Sequence, residues 1–172
     1  MRMYKKIIKE VLSWVLVFAV SIGLAFLINK TLIYNVSSPT GSMEDTIMIG
    51  DRVTTLRTAY TFSNPKRGDI IVFPYPDNEE EDLIKRIIGL PGETIEGKDG
   101  FVYIDGEKLE EDYVMSELAE DFGPYEIPED SYFMMGDNRS ISFDARYWTN
   151  KFVHRDKIRG KALFKYPDFK SF

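Results

Sequence analysis

An apolar stretch near the N-terminus decides where the rest of this chain can fold. Residues 11–28 contain no ionisable side chain over 18 consecutive positions. At about 1.5 Å rise per residue, a helix of this length spans about 27 Å, close to the roughly 30 Å hydrocarbon core of a bilayer. We therefore predict one transmembrane anchor, over residues 11–33.

Charge before the anchor predicts its orientation. The first ten residues carry four basic side chains and one acidic side chain, which are Arg2, Lys5, Lys6, Lys9 and Glu10. Because basic flanks stay in the cytoplasm, we expect residues 1–10 inside and residues 34–172 outside, as an extracytoplasmic domain. A cleaved secretory signal has the same basic start, but its apolar region is usually only about 7 to 15 residues long. A buried helix of a soluble domain would carry more polar interruptions.

Composition excludes several classes of function. The chain has a net charge of −6 and its first ten residues contribute +3, so the remainder carries −9 and repels nucleic acid. The absence of cysteine excludes disulfides, cysteine nucleophiles and thiolate zinc sites. A single histidine, His154, excludes a multi-histidine metal site. The residues after the anchor suffice for one domain with a hydrophobic core.

Patterning after the anchor indicates a mainly β domain. Short β-branched runs bounded by glycine, proline or acidic residues predict strands at 69–73 and 83–88, and residues 131–135 and 161–166 are further candidate strands. An Asp105-Gly106 pair between strand-like flanks predicts a hairpin within residues 101–109. Two acidic segments, residues 77–82 and 110–130, are expected to be solvated loops.

Ser42 and Lys85 are candidates for a nucleophile and its base. A serine hydroxyl attacks an amide only when a neighbouring base removes its proton. Strand alternation places Lys85 on one face with Leu83 and Ile87, where apolar neighbours lower the pKa of its amine. The alternatives are a turn serine at Ser42 and a solvent-facing edge lysine at Lys85. His154 is the other possible base, but no orienting motif surrounds it.

Four segments in this order resemble bacterial type I signal peptidases, which are membrane-bound serine proteases that remove signal peptides from exported preproteins. The segments are residues 40–43 (TGSM), 67–70 (RGDI), 85–92 (KRIIGLPG) and 136–139 (GDNR). The resemblance covers nearly the whole chain. It implies an antiparallel, partly barrel-like domain on a single N-terminal transmembrane helix, with no metal or organic cofactor.

The resemblance also implies roles for individual residues. Ser42 would be the nucleophile and Lys85 the general base, and the Ser42 N–H and the Thr40 hydroxyl would form the oxyanion hole. Ser142 would orient the lysine amine, and Asp144 and Arg146 would form a supporting ion pair. Further supporting residues would be Arg86, Asp137, Asn138 and Arg139. Shallow pockets for small side chains would be lined by Pro39, Met43, Ile47, Leu83 and Ile84.

One position departs from the family pattern. The family usually has proline before Thr46, where this chain has Asp45. Aspartate can hold a turn through its side chain, but a carboxylate near the nucleophile would favour the charged form of Lys85.

The sequence therefore predicts an endopeptidase for signal-peptide-bearing preproteins. Ser42 lies 14 residues after Ile28, which keeps the site at the outer face of the cytoplasmic membrane. We expect a monomer that contacts the lipid bilayer. A membrane-anchored binding or quality-control module with a decayed site is the alternative, although Ser42 and Lys85 are both retained. A self-cleaving repressor-like Ser/Lys protease would need a DNA-binding region, and a eukaryotic-type relative would use histidine instead of Lys85.

Overall fold

The computed structural model describes residues 2–114 and 116–172. One helix, α1, spans Arg2–Thr31. Twelve strands follow: β1 Ile33–Ser37, β2 Arg52–Leu56, β3 Ile70–Tyr75, β4 Asn78–Gly89, β5 Thr94–Lys98, β6 Phe101–Ile104, β7 Glu107–Lys108, β8 Phe122–Glu126, β9 Ser131–Met135, β10 Phe152–His154, β11 Gly160–Tyr166 and β12 Lys170–Ser171. Two short 3-10 helices lie at Gly41–Met43 and Arg155–Lys157.

Helix α1 stands apart from the β-domain. Residues Lys6–Thr31 form a span of 26 residues that contains an 18-residue window with a mean hydropathy of 2.6, and none of this window is buried in the protein. A helix that is apolar on all sides and uncovered by protein fits a membrane anchor. The helix ends two residues before the predicted end of the anchor, because Ile33 already pairs with Leu56 at the start of β1.

The larger sheet has the strand order β1-β2-β11-β3-β4-β9-β10, with β12 paired to β11. Every pairing in it is antiparallel, which confirms the predicted fold class. Each face of β3 buries a separate core. Ile71 and Phe73 belong to the larger hydrophobic cluster, while Ile70 and Val72 belong to a smaller one.

The smaller cluster fills the inside of the curled sheet. Its members come from β2, β3, β4, β11 and the segment between β1 and β2, and Tyr34 and Val36 of β1 pack against them. Strands β1 and β4, which three strands separate in the sheet order, thus share one interior. Among the described residues β1 and β4 form no backbone ladder with each other, so the barrel-like half stays open at this seam.

A second sheet, in the order β7-β6-β5-β8, packs its apolar side chains into the larger cluster. The predicted hairpin is confirmed, with Ile104 paired to Glu107 across a two-residue turn. Asp105 and Gly106 both have positive φ, at 50° and 82°. Positive φ at both central residues is what a type I′ hairpin turn requires, and Asp-Gly supplies it at low cost.

Neither acidic segment is simply a loop. Residues 78–81 are exposed as expected and Asp82 is half-buried, but all five extend β4 because Pro74 pairs with Asp82 and Tyr75 with Asn78. The segment 110–130 contains β8, and its Leu118 and Ile127 are buried in the larger cluster. Tertiary pairing overrides the polar composition of both segments, which is why the charge pattern was misleading.

Candidate active site

Ser42 and Lys85 lie together in the structure. Ser42 is in the 3-10 helix Gly41–Met43, which packs beside β4, the strand that carries Lys85. The Lys85 Nζ atom lies 2.6 Å from Ser42 Oγ. Ser42 is 8% exposed and Lys85 is 3% exposed, so the pair is largely withdrawn from bulk water. At this distance a neutral amine can accept the hydroxyl proton directly.

Burial makes Lys85 a usable base. Loss of hydration lowers the pKa of its amine from 10.5 to about 8. The carboxylates of Asp144 and Asp137 oppose this effect by favouring the ammonium form, and the Arg146 guanidinium assists it. Desolvation outweighs the two carboxylates, so a substantial fraction of Lys85 is neutral in mildly alkaline water.

Thr40 borders the nucleophile. Its hydroxyl Oγ1 lies 3.3 Å from Ser42 Oγ, and Ser38 Oγ donates to the Thr40 carbonyl at 3.1 Å. Ser42 itself lies in the first turn of its short helix, where backbone N–H groups have no partner within the helix. A hydroxyl and a free N–H group are therefore available on the exposed side of Ser42.

The segment 136–146 is fastened to the backbone of the nucleophile. The Asn138 N–H donates to the Ser42 carbonyl at 3.1 Å. Gly136 allows this approach, because a Cβ there would lie 2.3 Å from the Ser42 carbonyl oxygen and 2.2 Å from Ser142 Oγ. Any side chain at position 136 would separate this segment from Ser42.

An internal ion pair holds that segment in shape. Asp144 is fully buried and accepts from Arg146 Nε at 2.7 Å and from Arg146 Nη2 at 2.9 Å. It also accepts from the Gly136 N–H at 3.0 Å. The Ser142 hydroxyl is buried nearby without a hydrogen-bond partner among the described residues, so its expected bond to Lys85 is not formed in this structure.

A second ion pair ties β4 to the same segment. Arg86 Nε lies 2.8 Å from Asp137 Oδ1, and Arg86 Nη2 lies 2.6 Å from Asp137 Oδ2. Thr46 Oγ1 also donates to Asp137 Oδ2 at 2.6 Å. Because Arg86 follows Lys85 and Thr46 follows the nucleophile, Asp137 connects the segments that carry the two reacting groups.

Arg139 has a partner that the sequence did not reveal. Its guanidinium contacts Glu111 at 2.9 and 2.6 Å, and its Nε donates to the Gly136 carbonyl. The Tyr113 hydroxyl donates to Glu111. The Arg86 guanidinium stacks over the Tyr113 ring, 3.9 Å from the ring centre. Glu111 and Tyr113 lie in the segment expected to be a solvated loop, and no local sequence signal separates this glutamate from its acidic neighbours.

The residues expected to line a substrate pocket divide into two groups. Pro39, Leu83 and Ile84 line a cleft of about 50 Å³ beside Ser42 and Lys85. Met43 and Ile47 are fully buried in the smaller cluster and lie outside the lining of this cleft. The cleft is far smaller than the roughly 300–1,000 Å³ of a typical small-molecule site, so it suits a single small side chain.

His154 is not part of this arrangement. Its side chain is about half exposed, and its Nδ1 accepts from the Asp156 N–H at the start of the second 3-10 helix. A capping role on the surface agrees with the absence of an orienting motif around it.

Asp45 has a backbone conformation that proline cannot adopt. Its φ is +72°, whereas the proline ring holds φ near −65°. The carboxylates that raise the pKa of Lys85 are Asp144 and Asp137, not Asp45. The departure from the family pattern therefore changes the turn after the nucleophile rather than the charge on the base.

We expect Asp45→Pro to lower the free energy of unfolding by more than about 1 kcal/mol, because the native φ excludes proline. Asp45→Gly should stay within about 0.5 kcal/mol of the parent chain, since glycine tolerates positive φ. Denaturant unfolding of both variants in detergent tests this. Equal stability of the proline variant would show that this turn has another conformation.

Comparison with known proteins gives consistent results. A family model described as "Signal peptidase, peptidase S26" matches residues 11–167. A probable signal peptidase I-2 from Synechocystis sp. is 40% identical over 133 residues, which cover 74% of this chain and 60% of that protein. A signal peptidase I from Bacillus amyloliquefaciens is 36% identical over 169 residues, which cover 92% of this chain and 89% of that protein.

A solved structure is also similar. The crystal structure of a signal peptidase I from Enterococcus faecalis V583 superimposes with a TM-score of 0.50 at 38% sequence identity. The match covers 58% of this chain and 97% of that one. The chain spans about three fifths of the length of the Synechocystis relative and about nine tenths of the Bacillus one.

Proposed function

The chain belongs to the signal peptidase family, peptidase S26, and we propose that it is a serine endopeptidase that removes N-terminal signal peptides from exported preproteins. The observation that carries this proposal is the 2.6 Å separation of Lys85 Nζ and Ser42 Oγ in a buried setting. Burial lowers the pKa of Lys85 to about 8, which supports a role for its amine as general base.

The reaction follows from this geometry. Ser42 Oγ attacks the carbonyl carbon of the scissile bond while Lys85 Nζ takes the hydroxyl proton. The resulting oxyanion receives hydrogen bonds from the Ser42 N–H and the Thr40 hydroxyl, donors that act only as the negative charge develops. Lys85 then gives its proton to the leaving nitrogen, the carbon–nitrogen bond breaks, and the acyl group stays on Ser42 as an ester. Water, deprotonated by the neutral Lys85 amine, attacks this ester. The bond from the acyl carbon to Ser42 Oγ then breaks, and Lys85 returns the proton to Ser42 Oγ.

The supporting residues act on the positions of the reacting groups. Asp137 joins the Lys85 strand to the Ser42 turn through Arg86 and Thr46. The Asn138 N–H holds the Ser42 carbonyl. Such supporting contacts keep catalytic geometry within the narrow limits that proton transfer requires. The orientation of the amine by Ser142 stays a prediction.

The position of the cleft next to the membrane raises the local concentration of a membrane-held substrate. We propose that the N-terminus is cytoplasmic, as the basic residues in the first turns of α1 indicate, and that the β-domain lies at the outer face of the membrane. Only ten residues separate the end of α1 at Thr31 from Ser42. A preprotein held by its own apolar signal segment therefore meets the cleft at high effective concentration.

Cleavage of a preprotein by the full-length chain in detergent or lipid tests the proposal. We expect cleavage at the C-terminal end of the signal peptide by the parent chain and by the surface variant Ser63→Ala, and no cleavage by Ser42→Ala. Mass spectrometry of the products identifies the bond that is cut. Undiminished turnover by Ser42→Ala would exclude Ser42 as the nucleophile.

A further inference from the structure

Strands β1 and β4 meet although three strands separate them in the sheet order. The Tyr34 hydroxyl on β1 donates to Asp82 Oδ2 on β4 at 2.6 Å. The described residues show no backbone pairing between these two strands. Along this seam, side chains rather than a hydrogen-bonded ladder hold β1 and β4 together.

The carboxylate in this contact has a second donor. Arg159 Nη1 lies 2.7 Å from Asp82 Oδ2, the same oxygen that accepts from Tyr34. The Arg57 guanidinium lies 4.5 Å from the centre of the Tyr34 ring. The hydrogen bond to Asp82 raises the pKa of Tyr34, so the phenol remains a donor at neutral pH. A neutral donor on a charged acceptor is one of the stronger kinds of hydrogen bond.

The same carboxylate belongs to the cleft beside the nucleophile. One wall of this cleft is formed by Ser38, Pro39 and Thr40, which follow β1, and the other by Asp82, Leu83 and Ile84 of β4. Tyr34 precedes the first wall on β1, and Asp82 is part of the second. The separation of the walls is therefore coupled to the contact between these two side chains.

We propose that Tyr34, Asp82 and Arg159 form a latch that limits the width of the cleft and so restricts it to small substrate side chains. The inference rests on the proposed function, because the cleft receives a substrate side chain only if Ser42 cleaves a peptide. None of the three residues reaches Ser42 or Lys85 with a hydrogen bond. The latch acts on which side chain is accepted and leaves proton transfer unchanged.

Tyr34→Phe isolates the latch, since it removes one hydroxyl and keeps the ring. Tyr60→Phe is a matched control, because Tyr60 donates to Asp69 at 2.8 Å in a contact that does not line the cleft. The assay uses full-length protein in detergent and preproteins with alanine or leucine at the first or third residue before the cut. The readout is the ratio of kcat/KM for the alanine substrate to that for the leucine substrate.

We expect Tyr34→Phe to lower this ratio about tenfold at one of the two positions, the scale on which an apolar pocket discriminates side-chain size. The value of kcat for the alanine substrate should stay close to that of the parent chain. Tyr60→Phe should keep the parental ratio. Arg159→Gln, which frees Asp82 from its other partner, should shift the ratio in the same direction as Tyr34→Phe.

An unchanged ratio at both positions in folded Tyr34→Phe and Arg159→Gln would overturn the latch. The proposed function would survive that result, because the parent chain would still cleave the alanine substrate. Failure of the parent chain to cleave either preprotein would instead overturn both proposals. Thermal unfolding of each variant establishes that the comparison is made between folded proteins.

Discussion

Lys85→Met is expected to abolish most cleavage while stabilising the fold. A positioned general base contributes about 10²- to 10⁴-fold to the rate, and methionine supplies no base. The native state holds the lysine pKa at about 8 rather than 10.5, which corresponds to roughly 3 kcal/mol of lost stability at neutral pH. Methionine has a similar shape and carries no charge, so it removes that penalty.

The gain in stability should depend on pH with a definite sign. Between about pH 8 and 10.5 the unfolded chain keeps the Lys85 proton and the folded chain has released it, so the stability of the parent rises with pH. The advantage of Lys85→Met should therefore be greatest below pH 8 and disappear above pH 10.5. Denaturant unfolding followed by the buried Trp148, in a Trp14→Phe background, measures this difference.

Lys98→Met is the control for this prediction, because Lys98 is exposed on β5. It should retain full cleavage and remain within about 0.5 kcal/mol of the parent at every pH. A Lys85→Met variant that cleaves preproteins at the parental rate would remove the proposed base. One that is inactive but shows no pH-dependent gain in stability would mean that the native amine stays charged.

Asp144→Ala should be the most destabilising of the proposed substitutions. Asp144 is fully buried, and its removal takes the acceptor from the Gly136 N–H and the carboxylate partner from the Arg146 guanidinium, which keeps only backbone carbonyls as acceptors. Breaking a buried ion pair from one side costs about 3 to 5 kcal/mol. Loss of cleavage should accompany unfolding, because the segment that Asp144 stabilises also carries the Asn138 N–H that holds Ser42.

Asp156→Ala is the control for Asp144→Ala, because it removes the carboxylate of an exposed pair instead of a buried one. Asp156 lies 3.6 Å from His154, but its side chain is 85% exposed, so the pair contributes little. This variant should unfold at nearly the parental denaturant concentration and cleave normally. Similar midpoints for Asp144→Ala and Asp156→Ala would show that the buried pair does not stabilise the segment 136–146.

Local signals predicted a large part of the fold. The strand at 131–135 was predicted with its observed bounds, and the Asp105-Gly106 turn was predicted from its residues alone. Both depend on residues close together in the chain, through strand-forming side chains such as Tyr132 and Phe133 and through turn chemistry. The extension of β4 over residues 78–82 was missed, because it depends on pairing with β3 rather than on the composition of the segment.

The two side chains that the structure brings together were both predicted, but their surroundings were predicted only in part. Ser42 and Lys85 were identified from their motifs, but Met43 and Ile47 were expected in a pocket and are buried in the core. The Glu111–Arg139 pair was not predicted, because nothing in an acidic segment indicates which carboxylate is desolvated. Burial of a charge is a property of the packed structure.

The sequence by itself determined the apolar N-terminal helix, the antiparallel class and the two candidate side chains Ser42 and Lys85, since each depends on residue type and on neighbours along the chain. Tertiary structure alone decided that the larger sheet curls until β1 and β4 share one interior. That curl brings Ser42 within 2.6 Å of an amine that lies 43 residues away, and the surrounding core removes the water that would keep the amine charged. Desolvation and long-range contact are created together by packing, and no local pattern encodes either.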